Sequence, residues 1–168
     1  MISLSYGVLS GQRVWGSSID EVLGKKTLRP KVVVFMSSQC PCSKSHALHL
    51  KDLAARFKSN FDFYFVFSNA DETHEQNLSY AKELGLNAWP VVPDPHQKLA
   101  DKLGALRTPH AFVLKPDQSV AFQGGVSDSH VFEKSKVHTL ENALLEVRDQ
   151  KPITVKESRL LGCEIARE

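Results

Sequence analysis

The sequence predicts an α/β fold in which a central mixed β-sheet is flanked by helices on both faces. Strand-like and helix-like segments alternate along most of the chain, and this order favours parallel pairing of the strands. Segment 31–36 is almost wholly apolar and segment 60–69 becomes so towards its end, as expected for central strands. The turn signal Lys-Pro-Asp-Gln at 115–118 predicts a late antiparallel hairpin, which makes the sheet mixed.

The first part of the chain, 1–29, is expected to be a lead-in to this sheet. It contains a small hairpin over 8–15 and a brief helix that Ser17 or Ser18 caps and that ends at Leu23. The elements expected after it are a strand over 31–36, a helix from Pro41 to about Lys58, a strand over 60–69, a helix that Asp71, Glu72 and Thr73 open and Gly85 follows, an extended segment over 89–92, a short helix over 97–103, strands over 111–114 and 119–123, and a helix over 139–148 capped by Thr139.

Length and charge limit the classes of function. The 168 residues are expected to form one domain, 1–168, with 151–168 as a C-terminal tail. A net charge of +2 without a long basic run argues against nucleic acid or an anionic membrane as the main partner. No signal peptide is visible, so the chain as it stands is expected in the cytoplasm. An exported protein whose leader had been removed would give the same sequence.

The stretch over 31–50 carries the strongest chemical signal, because its strand leads directly to Cys40, Pro41, Cys42 and Ser43. Proline suits the first position of a helix, which makes Cys40 the residue just before the helix. A helix N-terminus stabilises a thiolate, so Cys40 is the predicted nucleophile, and its loop position predicts an open approach to the sulfur. Ser43 either donates a hydrogen bond to this thiolate or simply caps the helix.

The role of Cys42 stays open at this point. It either resolves a mixed disulfide on Cys40 or packs beneath the helix, since residues two apart point to nearly opposite sides. His46 and His49 follow Cys42 on one helix face. With Cys40 they define an alternative site for copper(I) or zinc, and the competing interpretation is that both histidines are solvated.

Three stretches carry a family resemblance: VVVFMSSQCPCS over 32–43, RTPHAFVLKPDQSVAFQGG over 107–125 and KPITVKESRLLGCEI over 151–165. Together they resemble thioredoxin-fold redoxins, which include the alkyl hydroperoxide reductase / thiol-specific antioxidant superfamily and thiol–disulfide oxidoreductases. The resemblance implies a thioredoxin-like fold in which Pro109 follows a cis peptide bond, faces Cys40 and shapes a substrate groove. His110 and Arg107, on either side of the Thr-Pro turn, would then tune the thiol pKa. The last stretch resembles bacterial redoxin-domain proteins that end in a Gly-Cys-x-Ile pattern.

The sequence also departs from the thioredoxins and peroxiredoxins that it resembles. A thioredoxin has a second cysteine where this chain has Ser43. A peroxiredoxin has a proline where this chain has Val33, although Ser37 fits its hydroxyl position. These differences make efficient peroxidase activity doubtful and alter ordinary dithiol chemistry.

The function predicted is thiol–disulfide exchange, with Cys40 attacking and Cys42 or Cys163 resolving the mixed disulfide. Partners are protein or small-molecule disulfides and thiols, no cofactor is expected, and the sequence does not name the electron donor. Apolar residues around Cys163 predict that the tail docks on the body, where Cys163 either pairs reversibly with the cysteine motif or stays a free thiol. The alternatives are a metal carrier, a redox-inactive adaptor and a peroxidase that tolerates Val33.

Overall fold

The computed structural model describes residues 19–23 and 27–168. The hairpin predicted over 8–15 and the cap predicted at Ser17 or Ser18 lie outside the described residues. The brief helix expected before Leu23 is present as α1, Ile19–Val22.

The sheet is mixed, as predicted. Its order is β3-β2-β1-β5-β6, in which β1 runs parallel to β2 and antiparallel to β5. The strands β5 and β6 form the predicted hairpin. A separate two-stranded sheet joins β4 to β7. The strands are β1 Lys31–Met36, β2 Asp62–Phe67, β3 Val91–Pro93, β4 Arg107–Thr108, β5 His110–Leu114, β6 Val120–Gly124 and β7 Cys163–Glu164.

Helices cover both faces of this sheet. The larger ones are α2 Pro41–Arg56, α3 His74–Glu83 and α5 Thr139–Arg148, and α4 is the shorter Lys98–Leu103. The first three pack on the face of β1 that carries Val32 and Val34. Helices α1 and α4 pack on the opposite face, which carries Val33 and Phe35. Because alternate residues of a strand point to opposite faces, an apolar β1 is buried by both layers at once.

The helix starts differ in their capping hydrogen bonds. Thr73 precedes α3 and forms a reciprocal capping pair with Gln76, as the predicted opening of this helix requires. The predicted cap at Thr139 is wrong by one residue, because His138 holds the capping position and Thr139 is already helical. The Thr139 hydroxyl instead donates to the carbonyl of Gly125 at 2.6 Å. No helix among the described residues is long and apolar enough to cross a bilayer.

Candidate active site

The turn between β1 and α2 presents Cys40 at the start of the helix. Cys40 is extended, with φ −90° and ψ 115°, and Pro41 is the first helical residue, as the sequence predicts. The Glu72 carboxylate fixes the turn, because it accepts hydrogen bonds from the backbone N–H groups of Ser38, at 3.1 Å, and Gln39, at 3.4 Å. Glu72 was not singled out from the sequence. Glu72 lies next to the turn only because β1 pairs in parallel with β2.

The Thr-Pro turn lies directly beside this cysteine. The Thr108–Pro109 peptide bond is cis, and the Cys40 thiol donates a hydrogen bond to the Thr108 carbonyl at 3.0 Å. The predicted cis bond and its position beside Cys40 are therefore confirmed, whereas the substrate groove stays a prediction. The Thr108 hydroxyl is buried and has no hydrogen-bond partner among the described residues, so it is free to donate to a thiolate at Cys40.

The C-terminal tail completes the site. Strand β7 pairs antiparallel with β4, in a register that sets Cys163 opposite Thr108. The Arg107 guanidinium donates to the Gly162 carbonyl at 2.8 Å and to Glu164 at 3.1 Å. Gly162 is required here, because it has φ +141° and a Cβ atom would lie 2.0 Å from the Thr108 carbonyl oxygen. The tail docks on the body, as predicted, and it does so through a strand that the sequence pattern does not show.

This docking brings Cys163 into hydrogen-bonding contact with Cys40. Burial by itself would raise the pKa of Cys40, but hydrogen bonds from the Cys163 thiol, the Thr108 hydroxyl and the Ser43 backbone N–H outweigh it and hold the pKa below its ordinary value. Burial, the hydrogen bond to Cys40 and the negative charge there raise the pKa of Cys163 to about 12. Of the two thiols, Cys40 is therefore the one that loses its proton first as the pH rises.

Residues 29–120 match a protein family described as thioredoxin-like. The chain belongs to this family. The match includes the cysteine motif and the cis-proline turn, and it excludes the tail that carries Cys163. A comparison with curated proteins found no match.

Solved structures share this thioredoxin-like fold. An uncharacterized conserved protein from Geobacillus kaustophilus has a TM-score of 0.77 and 23% sequence identity, over 89% of this chain and 82% of that chain. A hypothetical protein from Sinorhizobium meliloti has a TM-score of 0.75 and 23% identity, over 85% and 82%. A secreted Mycobacterium tuberculosis disulfide oxidoreductase, homologous to E. coli DsbE, has a TM-score of 0.50 and 19% identity, over 56% and 68%. At these identities the likeness shows the fold alone.

The thioredoxin-like site differs from the prediction in the accessibility of Cys40. The sequence predicted an open approach to its sulfur, but Cys40 is only 2% exposed. The prediction is wrong because Thr108 and Cys163 lie against the sulfur, and neither contact is visible from the local sequence. A partner can therefore reach Cys40 only when this cover moves.

Cys42 occupies a different environment. It is partly exposed, and its sulfur lies 3.6 Å from His130 Nδ1. Burial and then the negative charge of Cys40 raise the pKa of Cys42, and a hydrogen bond to Cys40 adds to this effect. The two thiols are thus nearer than the expectation of opposite sides allowed, because Cys40 precedes the helix and does not follow its geometry. Apart from its residue type, nothing in the sequence around His130 indicates this contact.

The residues predicted to tune the thiol act in other ways. The buried Ser43 hydroxyl accepts a hydrogen bond from the Ser37 backbone N–H at 3.2 Å, and it is the Ser43 backbone that contacts Cys40. His110 packs on Phe112, with ring centroids 4.3 Å apart, on the sheet face opposite α2. Burial lowers its pKa to about 4, so it is neutral at pH 7 and supplies no positive charge. Arg107 lowers the pKa of Cys163, and its contacts hold the tail.

The predicted metal set does not come together. Both ring nitrogens of His46 are engaged at 2.8 Å, Nδ1 with the Cys42 carbonyl and Nε2 with the Ser127 hydroxyl. The expectation that His46 and His49 are solvated is also wrong, because both are buried. Among the described residues, the metal-type ligands that do converge are His49, His138 and Glu141.

The residue that fits the peroxidase pattern is engaged elsewhere. The Ser37 hydroxyl donates to the Glu72 carboxylate and is thus used to fix the turn. Val33, which replaces the peroxidase proline, is fully buried in the core of the sheet. Neither residue offers a polar contact to a peroxide at Cys40.

Proposed function

We propose that this protein is a thiol–disulfide oxidoreductase in which Cys40 is the nucleophile and Cys163 the resolving cysteine. The observation that carries the proposal is the pairing of β7 with β4, which sets Cys163 opposite Thr108, the residue that the Cys40 thiol contacts at the cis-proline turn. The lowered pKa of Cys40 supports its role, since the thiolate is the attacking form. A structural neighbour that is named a disulfide oxidoreductase adds support from the shared fold.

The exchange has two steps. The Cys40 thiolate attacks one sulfur of a partner disulfide, which forms a mixed disulfide and releases the partner's other sulfur as a thiolate. Cys163 then loses its proton and attacks the Cys40 sulfur, which forms a Cys40–Cys163 disulfide and releases the second partner thiolate. The partner gains two electrons and the protein loses two. An external dithiol reductant must restore the two thiols, and the reverse sequence would oxidise a partner.

The pKa values of the pair suit this order of events. While Cys40 is a thiolate, its charge and its hydrogen bond keep Cys163 protonated. A mixed disulfide at Cys40 carries no charge, so both of these effects on Cys163 disappear and its pKa falls. Arg107, whose charge already favours the Cys163 thiolate, then acts against burial and no longer against the Cys40 charge. The second thiol is therefore activated by the first step.

Access to Cys40 requires the tail to move. Strand β7 is only two residues long, and Ile165, just beyond it, is buried in the core and donates its backbone N–H to the Leu106 carbonyl at 3.0 Å. A short strand of this kind can detach without unfolding the central sheet. We propose that partners are protein or small-molecule disulfides and thiols that reach Cys40 once β7 lifts from β4.

Disulfide mapping tests the proposal. The reduced protein is treated with one equivalent of oxidised glutathione, quenched with acid, and digested for mass analysis without reduction. We expect a peptide pair that joins Cys40 to Cys163, both in the parent and in Cys42→Ser. In Cys163→Ser we expect glutathione to remain on Cys40. A parent that yields only a Cys40–Cys42 bridge, or glutathione on Cys42 alone, would show that the assignment is wrong.

A further inference from the structure

A second cluster of chemically competent side chains lies on the other side of α2. The His49 Nε2 atom lies 3.9 Å from Glu141 Oε2, and the His138 Nδ1 atom lies 3.4 Å from the same oxygen. One ligand atom from each residue lies within 4.8 Å of the others. His49 comes from α2, whereas His138 and Glu141 lie at the N-terminus of α5, so the fold brings the three together.

The buried His49 nitrogen indicates that this space takes a ligand. The His49 side chain is only 7% exposed, and its Nε2 atom has no hydrogen-bond partner among the described residues. Its distance to Glu141 exceeds that of a hydrogen bond. Buried polar atoms without a partner are rare, and a bound ion or water is a usual explanation.

The spacing fits a tetrahedral metal ion. With metal–ligand bonds of about 2.0–2.2 Å, two ligands of a tetrahedral ion lie roughly 3.3–3.6 Å apart. The His138–Glu141 distance already has this value, and the His49–Glu141 distance exceeds it by a few tenths of an ångström. Magnesium and calcium prefer oxygen ligands throughout, and copper(I) prefers sulfur. Two imidazoles and one carboxylate suit zinc or iron(II), and the wide spacing favours tetrahedral zinc over six-coordinate iron(II).

We propose that His49, His138 and Glu141 bind a zinc ion, which keeps a fourth position for water. Arg56 Nη2 holds the other carboxylate oxygen, Oε1, at 2.6 Å, which leaves Oε2 directed at the two histidines. Such an outer contact orients a metal-binding carboxylate. The ring of Phe132 stacks on His49 with centroids 4.2 Å apart and lies 4.8 Å from His138. It covers ring faces and leaves the in-plane nitrogen lone pairs free for the ion.

A zinc ion here would fasten the segment 127–138 to α2. This segment already contacts the helix through the Phe132 backbone N–H, which donates to the Ser45 hydroxyl at 2.8 Å. It also carries His130, which lies beside Cys42. The ion would therefore stabilise the wall next to the thiols without using a cysteine as ligand. This inference does not depend on the proposed exchange activity.

Zinc titration of a cysteine-free chain tests the site. The triple variant Cys40→Ser, Cys42→Ser and Cys163→Ser removes thiol binding, and zinc chloride is added in a competition assay with a chelating dye. We expect one ion per chain and a melting temperature that rises with zinc concentration. In this background His138→Ala and Glu141→Gln should each lower the affinity at least about tenfold. The matched control His96→Ala, at an exposed histidine paired with Glu168, should leave it unchanged.

Two results would overturn the zinc site. One is the loss of saturable binding in the cysteine-free chain when the parent binds zinc, because the thiols would then be the ligands. The other is an unchanged affinity in both His138→Ala and Glu141→Gln. Far-ultraviolet circular dichroism identifies variants that fail to fold, and the partly exposed His138 makes its variant the safer one. Cobalt(II) gives a second readout, since its visible bands should appear without thiolate charge-transfer absorption.

Discussion

The two flanks of the α2 N-terminus place their cysteines in opposite environments. On one flank Cys40 is buried between the cis-proline turn and the tail, and its pKa is lowered. On the other flank Cys42 is partly exposed beside His130, and its pKa is raised. Both residues lie at the same helix end. The helix dipole therefore does not decide which thiol reacts, and the neighbours of each sulfur do.

The neighbours differ in kind. Hydrogen-bond donors from Cys163, Thr108 and Ser43 surround the Cys40 sulfur and lower its pKa. Cys42 faces the charge that these donors stabilise, so a second thiolate beside the first is disfavoured. Placing one thiolate thus keeps the adjacent cysteine protonated. The chemistry of the motif is set by residues far away in the sequence.

The largest expected effect on this comparison comes from replacing Cys40 and Cys42 in turn. We expect Cys40→Ser to lose exchange with oxidised glutathione by at least about a thousandfold, because no attacking thiolate remains. Cys42→Ser should stay within about tenfold of the parent. The measurement is the first turnover of the reduced protein, followed by mass. Equal losses in the two variants would show that the flanks do not differ in function.

The tail cysteine is the next test. In Cys163→Ser we expect turnover to fall about tenfold and the Cys40 mixed disulfide to accumulate, since an external thiol must then resolve it. Cys163→Ala should also move the pH midpoint of iodoacetamide labelling at Cys40 upwards, because a donor to the thiolate is lost. Both experiments are done with Cys42→Ser as the background. An unchanged turnover and midpoint would show that Cys163 does not lower the pKa of Cys40 and would leave this role to Thr108 and Ser43.

Gly162→Ala tests the cover over Cys40. The added Cβ would meet the Thr108 carbonyl at 2.0 Å, and the φ of +141° is strained for alanine, so we expect a loss of about 2–3 kcal/mol. Iodoacetamide should then label Cys40 faster while Cys42 is unaffected. Gly104→Ala is the control, since it has φ +73° with no atom within 4 Å and should cost about 1 kcal/mol. Urea unfolding measures both variants. Equal losses would mean that the β4–β7 contact is not a close fit.

A smaller effect concerns acid. The pKa of His110 is lowered by burial from 6.5 to about 4, so the unfolded chain takes up this proton first. The stability that neutral His110 contributes is complete above pH 6.5 and is lost as the pH falls towards 4. Between pH 7 and 5 we expect a loss of roughly 1–2 kcal/mol from this residue. Because His110 accepts from the Leu106 N–H at 3.3 Å, acid should loosen the Cys40 flank first.

The variant His110→Gln checks this assignment. It keeps an acceptor for the Leu106 N–H but does not titrate. Its urea midpoint should fall less than that of the parent between pH 7 and 5. At pH 5, Cys40 in the parent should also gain labelling relative to Cys42 once both rates are corrected for their thiolate fractions. If the parent and the variant lose the same stability, another group is responsible.

Much of the fold could be predicted from the sequence, and so could the part of the site formed by the α2 start and the cis-proline turn. Strand β1 and the start of α2 have the predicted bounds, because an apolar run and a proline at the first helical position are local signals. The cis bond at Pro109 was predicted through the resemblance. Strand β7 could not be predicted, since two residues become a strand only where β4 offers them an edge. His138 and Glu141 meet His49 only through packing of α5, and no spacing in the sequence shows that meeting.

The path of the tail has a consequence for contacts between molecules. Before it reaches Cys163, the tail runs along β6, where the Gln123 backbone donates to the Lys156 carbonyl at 2.9 Å and accepts from the Ser158 N–H at 3.0 Å. Strand β6 lies at one border of the sheet, and such a border can recruit a strand from another chain. The segment that delivers the second thiol thus also shields part of this border. A tail that came away beyond β7 would leave the sheet open to aggregation.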